Sequence, residues 1–260
     1  MKHRIRTRYY FDFDSFIKAI LLLGFWGLFI WLEWTQQLNL YIHPKFSGIV
    51  KLASNLLLPM FLTQIMTIVR PVDGFSIQHK HGNSLMYLPF IFVLALAFGV
   101  QTNTLDSNLA AAKGLNTEKT SAAAPYEMTR PLAAKLSQMS FINVTDRDYT
   151  EIMNEFEFYS QDYVGKEISM TGFVFRPPAI SQHQFSLVRY VIVCCAADAL
   201  PYGVLCELKA ARDYEDGTWL TIRGIIEQAT YDNKAVAAVR ITSAQKIKEP
   251  ANPYVYPPSE

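Results

Sequence analysis

The sequence predicts a membrane protein in two parts: three N-terminal transmembrane α-helices, then a small all-β OB-like barrel domain with one flanking helix. Three observations lead there. Apolar runs without charge recur three times before residue 101. From Gly165 onward the apolar period changes to two, the spacing of side chains on one face of a strand. Five short strand patterns then follow, with glycines inside them and turn residues between them, as in a small Greek-key barrel.

Composition narrows the function classes. Half of the 260 residues are hydrophobic, 18% are charged and the formal net charge is +1. A nucleic-acid binder normally carries a clear basic excess, so that class is not expected. Three cysteines cannot all pair within one chain, which argues against a disulfide framework. The apolar excess is concentrated in residues 16–100, and residues 101–260 have the balance of a soluble domain.

Residues 1–15 form a basic tail with Lys2, Arg4, Arg6 and Arg8. The first helix, 16–34, follows. Ala19 to Leu32 is uncharged, Lys18 and Glu33 bracket it, and Trp26, Trp31 and Trp34 gather at the far end as an aromatic belt. A signal peptide is the competing reading, but no small-residue cleavage site follows the run. Leu52 to Val69 predicts a second helix over about 49–69, close to the roughly 20 residues a bilayer requires. Asn55, Pro59, Thr63 and Thr67 recur by fours along it, which places them on one face. Polar groups are costly against lipid, so this face is expected to meet a partner helix or line a water-filled path. Pro59 also predicts a kink. A third helix is expected over about 84–101, from the uncharged run Leu85 to Val100; a buried helix of a soluble domain is the alternative.

Lys and Arg in the short connections set the orientation. They place the N-terminus and the loop from Arg70 to Gly82 in the cytoplasm, and the C-terminal domain outside. That loop carries His79 and His81. Imidazoles at this spacing can both reach a zinc, nickel or copper ion, or simply belong to a solvated loop. His43, in Tyr41-Ile42-His43-Pro44, suits a position at the headgroup level as well as it suits a ligand role.

Residues 101–140 read as a linker with a short helix near Leu105 to Lys113. The outer domain is placed at 141–260. Thr145 and Asp148 have capping-box spacing, with Tyr149, Ile152, Met153 and Phe156 following at helical intervals. The strands are expected at Ile168–Phe175, Phe185–Cys194, Tyr202–Leu208, Trp219–Ile226 and Val236–Ile241, with Gly172 marking a bend. The proline-rich tail, Pro250 to Pro258, is expected to wrap the barrel surface.

The second strand delivers Cys194 and Cys195, with Asp198 three residues on. In a regular strand the two thiols point to opposite faces, so they reach one ligand only if a turn starts there. Three readings stay open. The thiols are buried structure, or they form a metal or thiol-reactive site with Asp198, or one of them pairs with Cys206 across the hairpin. Asp198 itself also suits a plain turn. No Ser/His/Asp set, phosphate loop, paired-carboxylate site or HExxH occurs, and an enzyme is not expected.

With these residues in view, the chain resembles an uncharacterised family of bacterial membrane proteins regarded as permease subunits. The resemblance spans nearly the whole chain. It rests on Tyr41-Ile42-His43-Pro44, a histidine-bearing loop before the third helix, Tyr163-Val164-Gly165-Lys166 entering Thr171-Gly172-Phe173-Val174, Asp216-Gly217-Thr218-Trp219 and Pro253-Tyr254-Val255-Tyr256-Pro257. The most specific stretch is Cys194-Cys195-Ala196-Ala197-Asp198-Ala199. The resemblance implies one half of a predicted two-component permease whose other half is a polytopic membrane protein. The expected role is an accessory subunit in the bilayer, docking through the Asn55/Pro59/Thr63/Thr67 face. Its outer domain would assist a solute near Cys194, Cys195 and Asp198, and a transition metal such as zinc is the cofactor to test. The alternative is a stand-alone membrane-anchored metal-binding or thiol-redox protein.

Overall fold

The fold is described from a computed structural model, which covers residues 9–71, 84–99, 104–114, 130–177, 180–231 and 234–257. The chain divides into two compact units, Met1–Asn103 and Thr104–Glu260.

In the first unit, β1 (Tyr9–Phe11) leads into α1 (Phe13–Trp34), and the Asp12 side chain accepts the Asp14 N–H at the helix start. α2 (Ser47–Met66) runs unbroken through Pro59 to β2 (Val69–Pro71). The strands pair antiparallel, and the Asp12 N–H donates to the Ile68 carbonyl at 2.8 Å. The start of α1 and the end of α2 therefore lie together. At its other end Lys51 pairs with Glu33 at 3.0 Å. Leu28, Leu32 and Leu38 are buried between the helices, and Ile42, Val50, Leu94 and Ala97 pack against them.

α3 (Leu88–Gly99) follows a one-turn 3-10 helix, Ser84–Tyr87. It comes close to α1 at Gly24, where a Cβ would lie 2.9 Å from a methyl of Leu94. Two helices, Phe13–Trp34 and Pro44–Met66, are long and apolar enough to cross a bilayer. The apolar stretch Leu85–Gly99 is shorter than that, so among the described residues the expectation of three spans is met by length in two helices.

Along α2, Asn55, Pro59 and Thr63 are exposed, whereas Thr67 is half-buried and bonds Ser15 Oγ at 3.4 Å. A step of four residues overshoots a helical turn by about 40°, so three steps carry Thr67 about 120° from Asn55 and toward α1. His79 and His81 lie outside the described residues.

The second unit begins with α4 (Ser107–Lys113), followed by α5 (Ala133–Gln138), β3 (Phe141–Asn143) and α6 (Tyr149–Tyr159). Five long strands come next: β4 (Glu167–Phe175), β5 (Gln184–Val191), β6 (Leu200–Glu207), β7 (Trp219–Tyr231) and β8 (Lys234–Lys246). They run in the order β4-β7-β8-β6-β5, and β5 pairs back to β4, which closes a barrel compatible with the OB type. β3 adds parallel to β4, and β9 (Tyr254–Val255) adds parallel to β5.

Inward side chains such as Ile168, Met170, Phe185, Leu187, Ile222 and Val239 fill the barrel. α6 joins this core through Ile152, Met153 and Phe156, the stripe its spacing predicted. Glycine is required where strands crowd. A Cβ on Gly203 would sit 2.2 Å from the Leu187 carbonyl oxygen, and one on Gly172 would sit 2.7 Å from that of Val188.

Three expectations change. The stretch read as a linker carries helices packed on the barrel: Ala110 of α4 and Leu136 of α5 are buried, and Lys166 Nζ caps α5 by donating to the carbonyls of Leu136, Ser137 and Met139. Thr145 does not cap α6. Its hydroxyl bonds the Asp148 carboxylate at 3.3 Å, a turn forms between them, and Asp148 becomes the residue that precedes the helix. The tail is held more firmly than a surface wrap. Arg189, only 3% exposed, donates to the carbonyls of Asn252, Pro253 and Tyr254 and pairs with Asp146.

Candidate functional site

β5 ends at Val191, earlier than its apolar run suggests, and the reason lies in Asp198. Its carboxylate accepts three successive backbone N–H groups: Val193 on Oδ1 at 2.9 Å, and Cys194 and Cys195 on Oδ2 at 2.7 and 3.1 Å. A strand points successive N–H groups to opposite edges, so three in a row can turn toward one carboxylate only if the strand stops. Ala196–Asp198 then makes one turn of 3-10 helix, in which the Cys195 sulfur accepts the Asp198 N–H while the Asp198 side chain accepts that of Cys195. β6 follows from Leu200.

This turn brings the two thiols onto one side. Cys194 Sγ and Cys195 Sγ are 3.7 Å apart, and both lie within 4.8 Å of an Asp198 carboxylate oxygen. Cys194 is exposed, and Cys195 and Asp198 are half-buried. Val193, 62% exposed, and Leu200, 41% exposed, give the loop an apolar rim.

The electrostatics are set by the carboxylate. Its hydrogen bond and negative charge, with the neighbouring Cys195, push the Cys194 thiol up to about 12 from an ordinary 9.0. Asp198 moves the other way. Partial burial works against its charge, but the Cys194 thiol and the three N–H groups outweigh that and hold it below its ordinary 3.8. Without a cation the loop is therefore a protonated thiol beside an ionised carboxylate. A soft cation reverses this logic, since it favours thiolate and is itself favoured by the carboxylate.

Cys206 is not part of the site. It pairs with Phe185 across β5 and β6, whereas the loop lies beyond Val191 and Leu200 at the other end of that hairpin. It is fully buried, and burial raises its thiol. All three cysteines are free, so the disulfide reading is set aside here. Of the residues predicted from sequence, the structure brings together Cys194, Cys195 and Asp198. Asn55, Pro59 and Thr63 lie on the helical unit, and His43 is engaged locally, its Nδ1 accepting the Lys45 N–H at 3.0 Å.

One contributor escaped the sequence reading. Lys113 Nζ donates to the carbonyls of Ala197 at 3.2 Å and Ala199 at 2.6 Å. A lysine more than eighty positions away leaves no periodic or spacing signal of such a contact.

Family models for the DUF1980 N-terminal domain and the DUF1980 C-terminal domain match residues 17–116 and 119–257. The chain is 25% identical to a UPF0703 protein of Bacillus subtilis (strain 168), YcgQ, and 24% identical to a protein of Streptococcus mutans serotype c named "Putative two-component membrane permease complex subunit". Each alignment covers 92% of this chain and 98% of the relative. Among solved structures, a small single-stranded DNA-binding protein from Streptomyces coelicolor aligns over 32% of this chain and 95% of its own, at 8% identity and a TM-score of 0.22. A replication protein A heterotrimer bound to single-stranded DNA aligns over 32% of this chain and 58% of its own, at 10% identity and a TM-score of 0.19.

Proposed function

The chain belongs to the DUF1980 family, and from that premise we propose that it is the accessory subunit of a membrane permease complex, whose barrel presents a soft metal cation as cargo. The name of the Streptococcus mutans relative supports the subunit role. So does the surface of the helical unit. α3 exposes Leu88, Phe90, Ile91, Phe92, Val93 and Phe98, and α2 exposes Asn55, Pro59 and Thr63 among apolar neighbours. Helices that are apolar all round belong in lipid or against other helices. In this reading α3 completes a third crossing with help from its uncharged flanks. The N-terminus is then cytoplasmic, the barrel lies outside, and the exposed polar stripe of α2 meets a polytopic partner. The reading assigns the chain no catalytic step.

The cargo class is carried by one observation, the 3.7 Å separation of the two thiol sulfurs beside the Asp198 carboxylate. Two sulfurs bound to one tetrahedral zinc at about 2.3 Å stand about 3.8 Å apart. The turn holds the thiols close to that spacing before any ion arrives. Structural zinc sites are closed by four protein ligands, whereas this exposed loop offers three donors and an open side. An ion held this way can be passed on. The dithiol-redox alternative is supported by the same sulfur proximity, but a thiol raised to about 12 is a poor nucleophile at neutral pH.

The test has two arms. Mass spectrometry of the tagged full-length protein in mild detergent should recover a polytopic membrane protein near one-to-one, lost when residues 16–100 are deleted. A partnerless preparation would overturn the subunit role. Zinc or cobalt titration of the full chain should give one ion per chain, abolished in Cys194→Ser/Cys195→Ser. Unchanged binding in that double variant would overturn the cargo site.

A further inference from the structure

We propose that Lys113 is a positioning residue for the cation site, the clamp by which α4 fixes the exit of the thiol loop; this rests on the cargo reading above. The loop has two ends. Its entrance is held just past β5, where Ile192 N–H donates to the carbonyl of Val255 in β9 at 3.0 Å. Its exit joins β6 at Leu200, which pairs with Val191. There the Lys113 ammonium reaches the carbonyls of Ala197 and Ala199, the two residues that flank Asp198. Gripping both neighbours fixes the backbone from which the carboxylate projects, and that carboxylate in turn fixes Val193, Cys194 and Cys195. The thiol spacing therefore depends on Lys113 through Asp198. Ammonium-to-carbonyl bonds are charge-assisted, so they exceed neutral ones in strength.

The clamp works only if its own base is rigid, and α4 is fixed at its other end. Asp106 caps it through the Leu109 N–H at 3.2 Å, Tyr190 OH donates to the Asp106 carbonyl at 2.6 Å, and the Leu105 N–H donates to Tyr254 OH at 2.9 Å. Tyr190 belongs to β5, the strand that leads into the cysteines, and Ala110 is fully buried. Helix α4 thus spans from the entrance strand to the exit of the same loop.

The experiment compares full-length wild type, Lys113→Met and Lys113→Arg in detergent. It reads deuterium exchange at the N–H groups of Val193 to Cys195, cobalt affinity with its thiolate charge-transfer band, and the melting temperature. Lys113→Met is expected to speed exchange in the loop and to weaken cobalt about tenfold, the size typical when a group that orients ligands is lost. The melting temperature should stay within a few degrees, and Lys113→Arg should restore both loop readouts. Unchanged exchange in Lys113→Met would overturn the clamp. Faster exchange with unchanged cobalt affinity would overturn its role in the site. A wild type that binds no cobalt defeats the cargo reading and the role of Lys113 in capture, while the exchange data still decide whether the clamp exists.

Discussion

Oδ2 of Asp198 accepts the backbone N–H of Cys194 at 2.7 Å, and the same carboxylate lifts the thiol of that residue to about 12. One side chain thus shapes the loop and sets its chemistry. It spends most of its acceptor capacity on backbone N–H groups, so in the cation-free loop its structural and electrostatic roles cannot be separated by geometry. They can be separated by substitution.

Asp198→Asn removes the charge and keeps one of the two acceptor oxygens that hold the loop. Cys194 is expected to fall back toward 9.0, and each unit recovered raises its thiolate fraction about tenfold. Alkylation by iodoacetamide near pH 8, followed by peptide mass spectrometry, should run at least tenfold faster at Cys194 in the variant. An equal rate would show that the carboxylate does not control the thiol.

Cation binding should strengthen as pH rises. Below about 12 the Cys194 thiol is protonated, so an ion must displace its proton, and each displaced proton changes affinity about tenfold per pH unit. Cobalt titrations between pH 6 and 8 should show this slope, steeper than in the single variant Cys194→Ser. A flat profile would argue against thiolate ligation.

The loop should loosen in acid. Asp198 is held below its ordinary 3.8, so the stability it contributes is fully present above that value and is lost as pH falls through the lowered one. Loop exchange in full-length protein should match at pH 7 and pH 5 once corrected for intrinsic rates, and should increase below about pH 4.

Gly203→Ala tests the close approach of β6 to β5. The new methyl would meet the Leu187 carbonyl at 2.2 Å, an overlap with backbone that no rotamer relieves. We expect a loss of about 2 kcal/mol or more, read as a lower midpoint in denaturant.

Arg189→Met should free the tail. Three carbonyls, of Asn252, Pro253 and Tyr254, lose their donor at a buried position, at a cost of about 3 kcal/mol. Limited proteolysis should then cut within 250–257 at enzyme concentrations that leave the wild type intact.

The amino-acid sequence by itself determined the apolar segments, the strand sequence of the barrel, the core stripe of α6 and the candidacy of Cys194, Cys195 and Asp198. Each of these follows from local periodicity or composition, which survive in a linear reading because burial repeats with the period of the element. What only tertiary structure decided depends on contacts between distant residues. Cys206 was removed from the site by strand register, which places it opposite Phe185. Thr67 turned away from the α2 stripe because a helix does not repeat every four residues, and Ser15 of α1 receives it. The described parts of the expected linker pack on the barrel because Tyr190, Tyr254 and Lys166 supply partners for their backbone. The two thiols met because one carboxylate ended a strand early, and Lys113 reached that loop from a helix the sequence offered no reason to place beside it.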